Sequence, residues 1–161
     1  MHSDDIDEIA KIHSQQFTRQ LHSEKWVSCN FAAFPRIIIF VARDELDNVV
    51  GYVQWIHKSG FRKESVIELE QIAVRKDQQR KGIGSKLIID SLKLIKEYLS
   101  EYNSILQTIL ITTRSDNQAQ LLYKNTLGAE VISIIKDLYS HDEVIMLAHY
   151  TFSHFSKDAL L

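Results

Sequence analysis

The segment that most constrains the fold is a glycine-containing loop between a strand-like and a helix-like stretch. Residues 79–84 of this loop read Gln-Arg-Lys-Gly-Ile-Gly. Before it, residues 66–74 alternate like a strand, and after it residues 85–99 repeat apolar side chains at helical spacing. Two glycines let several backbone N–H groups converge beside the positive N-terminal end of that helix. The loop is therefore suited to hold a pyrophosphate.

Two other classes of phosphate-binding loop fit the sequence poorly. In a dinucleotide-binding fold the third glycine position would be Leu87, and repeated strand–helix–strand units are lacking. No Gly-Lys-Ser/Thr sequence of the Walker type is present. Positive charge from Arg80, Lys81 and Lys86 still favours a phosphate-bearing ligand.

The other segments predict a mixed α/β layer in which helices lie on a mostly antiparallel sheet. Helices are expected near 3–17 and over 85–99 and 115–127, the last capped by Ser115 or Asp116 and closed by Gly128. Residues 21–35 are expected to be a weaker helical or loop region. Strands are expected at 36–43, 49–57, 66–74, 105–113, 129–138 and 144–150. The nearly all-apolar run 105–113 predicts a strand in the middle of the sheet. Residues 153–161 are expected to be a frayed tail or a short closing helix.

Composition limits the class of protein. A chain of 161 residues with 45% apolar side chains predicts one domain spanning 1–161. The net charge of -2 argues against a nucleic-acid partner. The single Cys29 and the acidic start without a leader predict a cytoplasmic setting, and no apolar run is long enough for a membrane helix. The seven histidines show no metal-ligand spacing, so no metal is expected.

The loop and its flanks resemble the GCN5-related N-acetyltransferase (GNAT) superfamily. Residues 79–84 match the Q/R-x-x-G-x-G/A signature at all four specified positions. Residues 68–74 are similar to the family's fourth strand, and residues 117–123 to its Asn-containing helix that ends in Tyr. The resemblance implies a twisted sheet whose fourth and fifth strands splay apart. The family's first strand is missing or truncated, since only Met1 and His2 precede the first helix.

The resemblance also implies a reaction, the transfer of an acetyl group from acetyl-CoA to a primary amine by direct attack in a ternary complex. The acceptor would be a small molecule or a peptide. The cofactor's arm would pair with the fourth strand like an added strand, and the Ile72 N–H would donate to the thioester oxygen. The implied cofactor-binding residues are Ile72, Ala73, Val74, Gln79, Arg80, Lys81, Gly82, Ile83, Gly84, Ser85 and Asn117.

Two acidic residues and a tyrosine are the candidate catalytic groups. An amine with a pKa of about 10 is mostly protonated at neutral pH, so its attack needs a proton acceptor. Strict alternation would place Glu68, Glu70 and Ile72 on one face of the strand, so either carboxylate could serve, directly or through water. Tyr123 matches the family position that donates a proton to the departing thiolate.

Less specific interpretations of the same residues stay open. Tyr123 could be a core residue, and Glu68 and Glu70 could be solvent-facing strand carboxylates. Trp55 and His57 could line an acceptor pocket, although packing is commoner for such residues. The rival function is a non-catalytic module that senses acetyl-CoA or holds a partner protein, and a homodimer is compatible with either function.

Overall fold

The computed structural model describes residues 1–150, so the predicted tail or helix at 153–161 lies outside the described residues. Four α-helices are found in this range: α1 Ile6–Gln16, α2 Ser23–Ala32, α3 Ile83–Glu101 and α4 Ala119–Leu127. The strands are β1 Ile37–Arg43, β2 Val49–Lys58, β3 Glu64–Val74, β4 Ile105–Arg114, β5 Glu130–Ile135 and β6 Glu143–His149. No helix within residues 1–150 is long and apolar enough to cross a membrane.

All six strands form one sheet with the order β1-β2-β3-β4-β6-β5. Every neighbouring pair is antiparallel except β3 and β4, which are parallel and connected through α3. A parallel pair needs such a crossover, because its strands cannot be joined by a tight turn. The predicted mostly antiparallel sheet flanked by helices is confirmed, and β4 lies inside the sheet as its apolar sequence predicts.

Strands β3 and β4 separate part of the way along their length. They are paired from Glu64 with Ile105 to Glu68 with Leu110. Beyond that point Leu69 and residues 71–74 of β3 pair with β2, and residues 111–114 of β4 pair with β6. The gap opens toward the C-terminal ends of both strands, and β3 leads there into the loop 79–84. This is the splay that the family resemblance implies.

A β-bulge interrupts β3 beside the splay. Gln71 lies opposite Gln54, and Leu69 lies opposite Trp55, so Glu70 has no partner on β2. An extra residue of this kind shifts the alternation of the side chains that follow it. The strict alternation predicted for residues 66–74 is therefore wrong beyond Leu69.

The corrected faces follow from the two hydrophobic cores. Leu69 is buried in the core under α3, and Ile72 packs against that same core. Ala73 belongs instead to the smaller core under α1. Ile72 thus faces away from Glu68, contrary to the predicted pattern, because the bulge at Glu70 adds one residue to the strand.

Candidate active site

The loop after β3 has the geometry of an anion-binding helix start. Gly82 has φ 78° and ψ 0°, a left-handed conformation that glycine adopts without strain, and α3 begins at the next residue. The first intrahelical hydrogen bond near this end runs from Lys86 N–H to Gly82 C=O, at 3.0 Å. The N–H groups of Ile83, Gly84 and Ser85 precede it and so have no helical acceptor.

A depression of about 220 Å³ lies over this helix end. Its lining includes the loop glycines and a residue of α4, so the site is shared by two helices and the end of β3. A Cβ atom added to Gly84 would lie 3.4 Å from Leu122 Cδ2, which shows how closely α4 approaches the loop. The lining residues are Val74, Gln78, Gln79, Arg80, Gly82, Ile83, Gly84, Ser85 and Leu122. Free N–H groups, an exposed Arg80 and this volume fit a pyrophosphate.

Two predicted loop residues make contacts within the protein. The Gln79 amide donates to Val74 C=O at 3.0 Å and to Gln16 Oε1 at 3.1 Å. It therefore ties the loop to the end of β3 and to α1. Lys81 Nζ donates to Gln78 Oε1 at 2.9 Å and is not part of the lining of the depression.

The backbone of β3 offers alternate residues to the splay. Arg75 N–H donates to Val50 C=O at 2.8 Å, so Arg75 and, two residues earlier, Ala73 direct their polar groups toward β2. Ile72 and Val74 consequently direct theirs into the splay. Of the three predicted arm-binding residues, Ile72 and Val74 can pair with an extended ligand there, and Ala73 separates them.

Asn117 uses both ends of its side chain to organise the start of α4. Its Oδ1 accepts from Ala119 N–H at 2.9 Å, and its Nδ2 donates to Thr113 Oγ1 at 2.8 Å. The predicted caps at Ser115 and Asp116 are wrong, because α4 begins only at Ala119 with Gln118 at its N-cap position, and Asp116 is instead bound by Arg114 at 2.9 Å. Gly128 closes the helix as predicted, with φ 69°.

Tyr123 is a buried tyrosine of α4 with an available hydroxyl. Its side chain is 5% exposed and lies in the core under α3. Burial raises the pKa of Tyr123 to about 12, so the hydroxyl keeps its proton at neutral pH. Within residues 1–150 this hydroxyl makes no hydrogen bond, which leaves its donor available.

Glu68 lies where the pairing of β3 with β4 ends, and a lysine binds it. Lys58 Nζ is 2.8 Å from Glu68 Oε2, and the Glu68 side chain is only 11% exposed. Lys58 stands at the end of β2, two residues beyond the partner of Glu68 on that strand. An ion pair of this kind holds the carboxylate in place and occupies one of its oxygens.

Glu70 differs from Glu68 in its surroundings. It is partly buried on the bulge and forms no ion pair within the described part of the chain. Burial raises the pKa of Glu70, the neighbouring negative charge of Glu68 raises it further, and Lys58 opposes the shift. A carboxylate whose pKa lies nearer neutrality and whose oxygens are not taken by a cation is better suited to accept a proton.

Trp55 and His57 pack rather than line a pocket. Trp55 Nε1–H donates to Ser91 Oγ of α3 at 2.9 Å. His57 Nε2 is 3.2 Å from Ser65 Oγ, and its ring meets Phe61 edge-on. Both residues lie on the α3 face, opposite to Glu68, so of the two interpretations the ordinary packing is confirmed.

Sequence reasoning missed the lysine that binds Glu68 and the hydrogen-bonded residues around Gln71, which follows Glu70 in the chain. Lys58 holds Glu68, and a buried polar network around Gln71 lies beside Glu70. No local sequence pattern could have identified them, because these contacts depend on the register between β2 and β3, which the bulge shifts. Within residues 1–150 no group of three or more His, Cys, Asp and Glu side chains is arranged to hold a metal ion.

Known proteins resemble the chain in sequence and in fold. The N-alpha-acetyltransferase daf-31 of Caenorhabditis elegans is 28% identical over 106 residues, which cover 65% of this chain and 55% of that protein. The chain thus spans about half the length of this relative. The NatC complex bound to Gag peptide and CoA matches with a TM-score of 0.76, 16% identity and 93% of each chain covered. Arabidopsis thaliana NAA60, in complex with a bisubstrate analogue, matches with a TM-score of 0.74, 14% identity and coverage of 94% of this chain and 96% of its own.

At these identities the structural matches show a shared fold. The model of the Acetyltransferase (GNAT) family matches residues 6–129, which is most of the chain and includes the loop, the splay and α4. The chain therefore belongs to the GNAT acetyltransferase family.

Proposed function

We propose that this chain transfers an acetyl group from acetyl-CoA to a primary amine of a small molecule or peptide. The observation that carries the proposal is the splay of β3 and β4, which opens beside a helix start with unbonded N–H groups. Membership of an acetyltransferase family supports the reaction class. The similarity to an N-alpha-acetyltransferase, and the CoA and peptide bound in the NatC structure, support acetyl-CoA as the cosubstrate and a peptide as the acceptor.

Binding of the cosubstrate is assigned to the loop and to β3. Acetyl-CoA supplies the acetyl group as a thioester when it is bound. The N–H groups of Ile83, Gly84 and Ser85 would hold its pyrophosphate, with positive charge from Arg80 and Lys86. The splay-facing groups of Ile72 and Val74 would hold its arm, and the Ile72 N–H would stabilise charge on the acetyl oxygen.

Proton movement is assigned to residues on opposite faces of the sheet. Glu70, beside Glu68 on the α1 face, accepts the proton that the ammonium group must lose, directly or through water. The amine nitrogen would then form a bond to the acetyl carbon as the carbon–sulfur bond breaks, and the nitrogen would release its second proton to water. Tyr123, on the α3 face, would donate its hydroxyl proton to the departing sulfur and regain a proton from water, so the thiol leaves neutral and one proton in total is released.

The proposal also covers the setting of the reaction. The lone Cys29 gives no basis for disulfides, and we place the protein in the cytoplasm as a single domain over residues 1–161. The carboxylates of Glu68 and Glu70 favour an acceptor that arrives as a cation. A homodimer is part of the same proposal and can be tested by the mass of the protein in solution.

The test of the base compares two variants while the release of free thiol is followed across a panel of amines and peptides. Glu70→Gln should lower kcat by about 10²-fold, the scale of general base catalysis, and remove the rising limb of the pH–rate profile. Glu68→Gln is the matched control two residues away and should have the smaller effect, because it removes a neighbouring charge and not the proton acceptor. The reverse order would assign the base to Glu68. Wild-type protein that binds CoA but releases no thiol with any acceptor would favour the non-catalytic module.

The test of the acid is Tyr123→Phe. This change removes one hydroxyl and keeps the ring in the core, so cofactor affinity and unfolding temperature should stay close to those of the wild type. Turnover should fall by about 10²-fold, as expected when a proton donor is lost. Unchanged turnover would show that Tyr123 is only a core residue.

A further inference from the structure

Gln71 lies between the two β3 groups to which the proposed chemistry is assigned. It follows Glu70, the residue of the bulge, and precedes Ile72, whose N–H faces the splay. Its side chain is 5% exposed and points toward α1. Burying an amide costs free energy unless its donors and its acceptor form hydrogen bonds. The hydrogen-bond partners of this side chain therefore show which parts of the fold hold it in place.

One end of the Gln71 amide is bound from β2. The Tyr52 hydroxyl donates to Gln71 Oε1 at 3.2 Å. Tyr52 is 1% exposed and packs in the core under α1. Because the ring is held by packing, its hydroxyl is a fixed point for the carbonyl end of the amide.

The other end is bound from α1 and the loop that follows it. Gln71 Nε2 donates to Gln20 Oε1 at 3.2 Å, and His13 Nε2 lies 2.9 Å from the same oxygen. His13 Nδ1 lies 2.9 Å from Ser23 Oγ at the start of α2. A hydrogen on His13 Nε2 lets the ring donate to Gln20 and accept from Ser23, and it leaves only the long 3.4 Å approach of Gln71 Nε2 to His13 Nε2 without a hydrogen bond.

His13 is fully buried, which favours the neutral ring that this arrangement requires. Burial lowers the pKa of His13, and the hydrogen bond with Gln20 opposes the shift only in part. At neutral pH the ring therefore has one donor and one acceptor. In this arrangement Tyr52 donates to Gln71 and Ser23 donates to His13, and both Gln71 and His13 then donate to Gln20 Oε1.

The neighbouring glutamine on β2 provides a contrast. Gln54 pairs with Gln71 across the two strands and is also buried. Its Oε1 accepts from Asn30 Nδ2 at 3.0 Å, while its Nε2 has no hydrogen-bond partner among residues 1–150. A buried glutamine at this part of the sheet is thus not automatically bonded at both ends, and the complete set of contacts at Gln71 is specific to that position.

We propose that Gln71 is a positioning residue, held at both ends by Tyr52 and by the His13–Gln20 pair, that fixes the β3 bulge between Glu70 and Ile72. The inference rests on the proposed function, since it gives these neighbours their roles. Bulges re-aim side chains, and a bulge without support can relax in several ways. A displacement of about 1 Å at a reacting group can reduce turnover about 10²-fold, so a support that removes such freedom affects rate.

The experiment replaces Gln71 with Met, an unbranched side chain of similar length that cannot make the hydrogen bonds. Gln71→Met should lower kcat at least 10-fold while leaving the affinity for acetyl-CoA within about 2-fold of the wild type. A second readout needs no cofactor. In the ligand-free protein, NMR titration of the Glu70 carboxyl should show its midpoint moving toward the ordinary carboxyl value, because the side chain is no longer kept beside Glu68 in its partly buried place.

Gln54→Met is the matched control, because it removes a buried amide from the adjacent strand without touching the network. It should lose stability to a similar degree and leave both kcat and the Glu70 midpoint unchanged. Tyr52→Phe removes one of the two supports and should give an intermediate rate, and adding it to Gln71→Met should cause no further loss.

Three results would overturn the proposal. One is a kcat of Gln71→Met equal to that of a catalytically active wild type, a result that would leave the proposed function intact. Another is an unchanged Glu70 titration, which would exclude the positioning role even if no acceptor is ever found. Equal kinetic losses in the Gln54 and Gln71 variants would also reject it in favour of general destabilisation.

Discussion

At the scale of single residues, the surroundings of Glu70, the proposed base, reduce the stability of the fold at neutral pH. Burial and the charge of Glu68 raise its pKa in the folded protein above the unfolded value. The folded state therefore binds the proton more tightly, and stability is lost as the pH rises through the folded pKa. Below the ordinary pKa of a carboxyl both states are protonated and this penalty vanishes.

Glu70→Gln should consequently stabilise the protein at neutral pH and give no such gain at about pH 3, where the carboxyl is already neutral. Urea unfolding at the two pH values measures the difference. The matched variant Glu68→Gln should not stabilise, because it leaves Lys58 without its partner at 2.8 Å. A Glu70→Gln protein that is less stable than the wild type at neutral pH would show that the carboxylate makes favourable contacts in the fold.

The sequence predicted which residues belong to the candidate site, but it did not predict which of the two glutamates is better suited to accept a proton. The strand pattern and the loop signature identified Glu68 and Glu70 as candidates. The choice between them depends on the bulge at Glu70 and on the ion pair of Lys58 with Glu68. Both arise from the register between β2 and β3, which is a tertiary property that no local spacing reveals.

At the scale of elements, apolar periodicity located the six strands and the helices α1, α3 and α4 to within about four residues, whereas for residues 21–35, which contain α2, the sequence left a helix or a loop open. The larger differences lie at the ends, where single contacts decide. Helix α3 begins at Ile83, two residues earlier than its apolar pattern indicates, because the left-handed Gly82 allows the turn to start at once. Strand β5 ends at Ile135 rather than at Leu138. End effects of this kind depend on caps and neighbours and not on periodicity.

The acidic residues at the start of α1 make long-range contacts that sequence patterns of helices and strands do not predict. Asp5 is 2% exposed, and Arg43 Nη2 at the end of β1 lies 2.5 Å from its Oδ1. Burial would raise the pKa of Asp5, but the hydrogen bonds from His2 N–H and Arg43 outweigh it and lower the pKa. Glu8 Oε2 accepts from Val49 N–H at 2.9 Å. These long-range contacts dock α1 against the β1–β2 hairpin, whereas the sequence indicates only a helix start.

At the scale of the whole molecule, the splay follows from the neighbours that β3 and β4 have on either side. Beyond Glu68 and Leu110, β3 stays paired with β2 and β4 stays paired with β6. Each strand therefore leaves only one of its two edges unpaired when the strands separate. The unpaired inner edges then present polar backbone groups that an extended ligand can satisfy. The resemblance to a family implied this gap, but the point of separation emerged only from the paired sheet.

A cofactor bound along this gap would contact β3, the loop and α3 together, so binding should be visible as stabilisation of the whole fold. At about 100 times its dissociation constant, a ligand that binds only the folded state adds roughly 2.7 kcal/mol. Acetyl-CoA and CoA should therefore raise the unfolding temperature, whereas NAD and ATP should not. Gly82→Ala should reduce this rise, because the left-handed start of α3 strains any residue with a Cβ atom and tilts the N–H groups of the site.

Gly60 provides the matched control for this prediction. It has φ 79° against 78° for Gly82, and at neither glycine would an added Cβ meet another atom within 4 Å. Both alanine variants should therefore lose roughly 1–2 kcal/mol of stability from backbone strain alone. Gly60 lies in the turn between β2 and β3, away from the loop, so Gly60→Ala should keep the full rise with acetyl-CoA. Equal rises in the two variants would mean that the start of α3 does not hold the cofactor, and the depression over it would need another ligand.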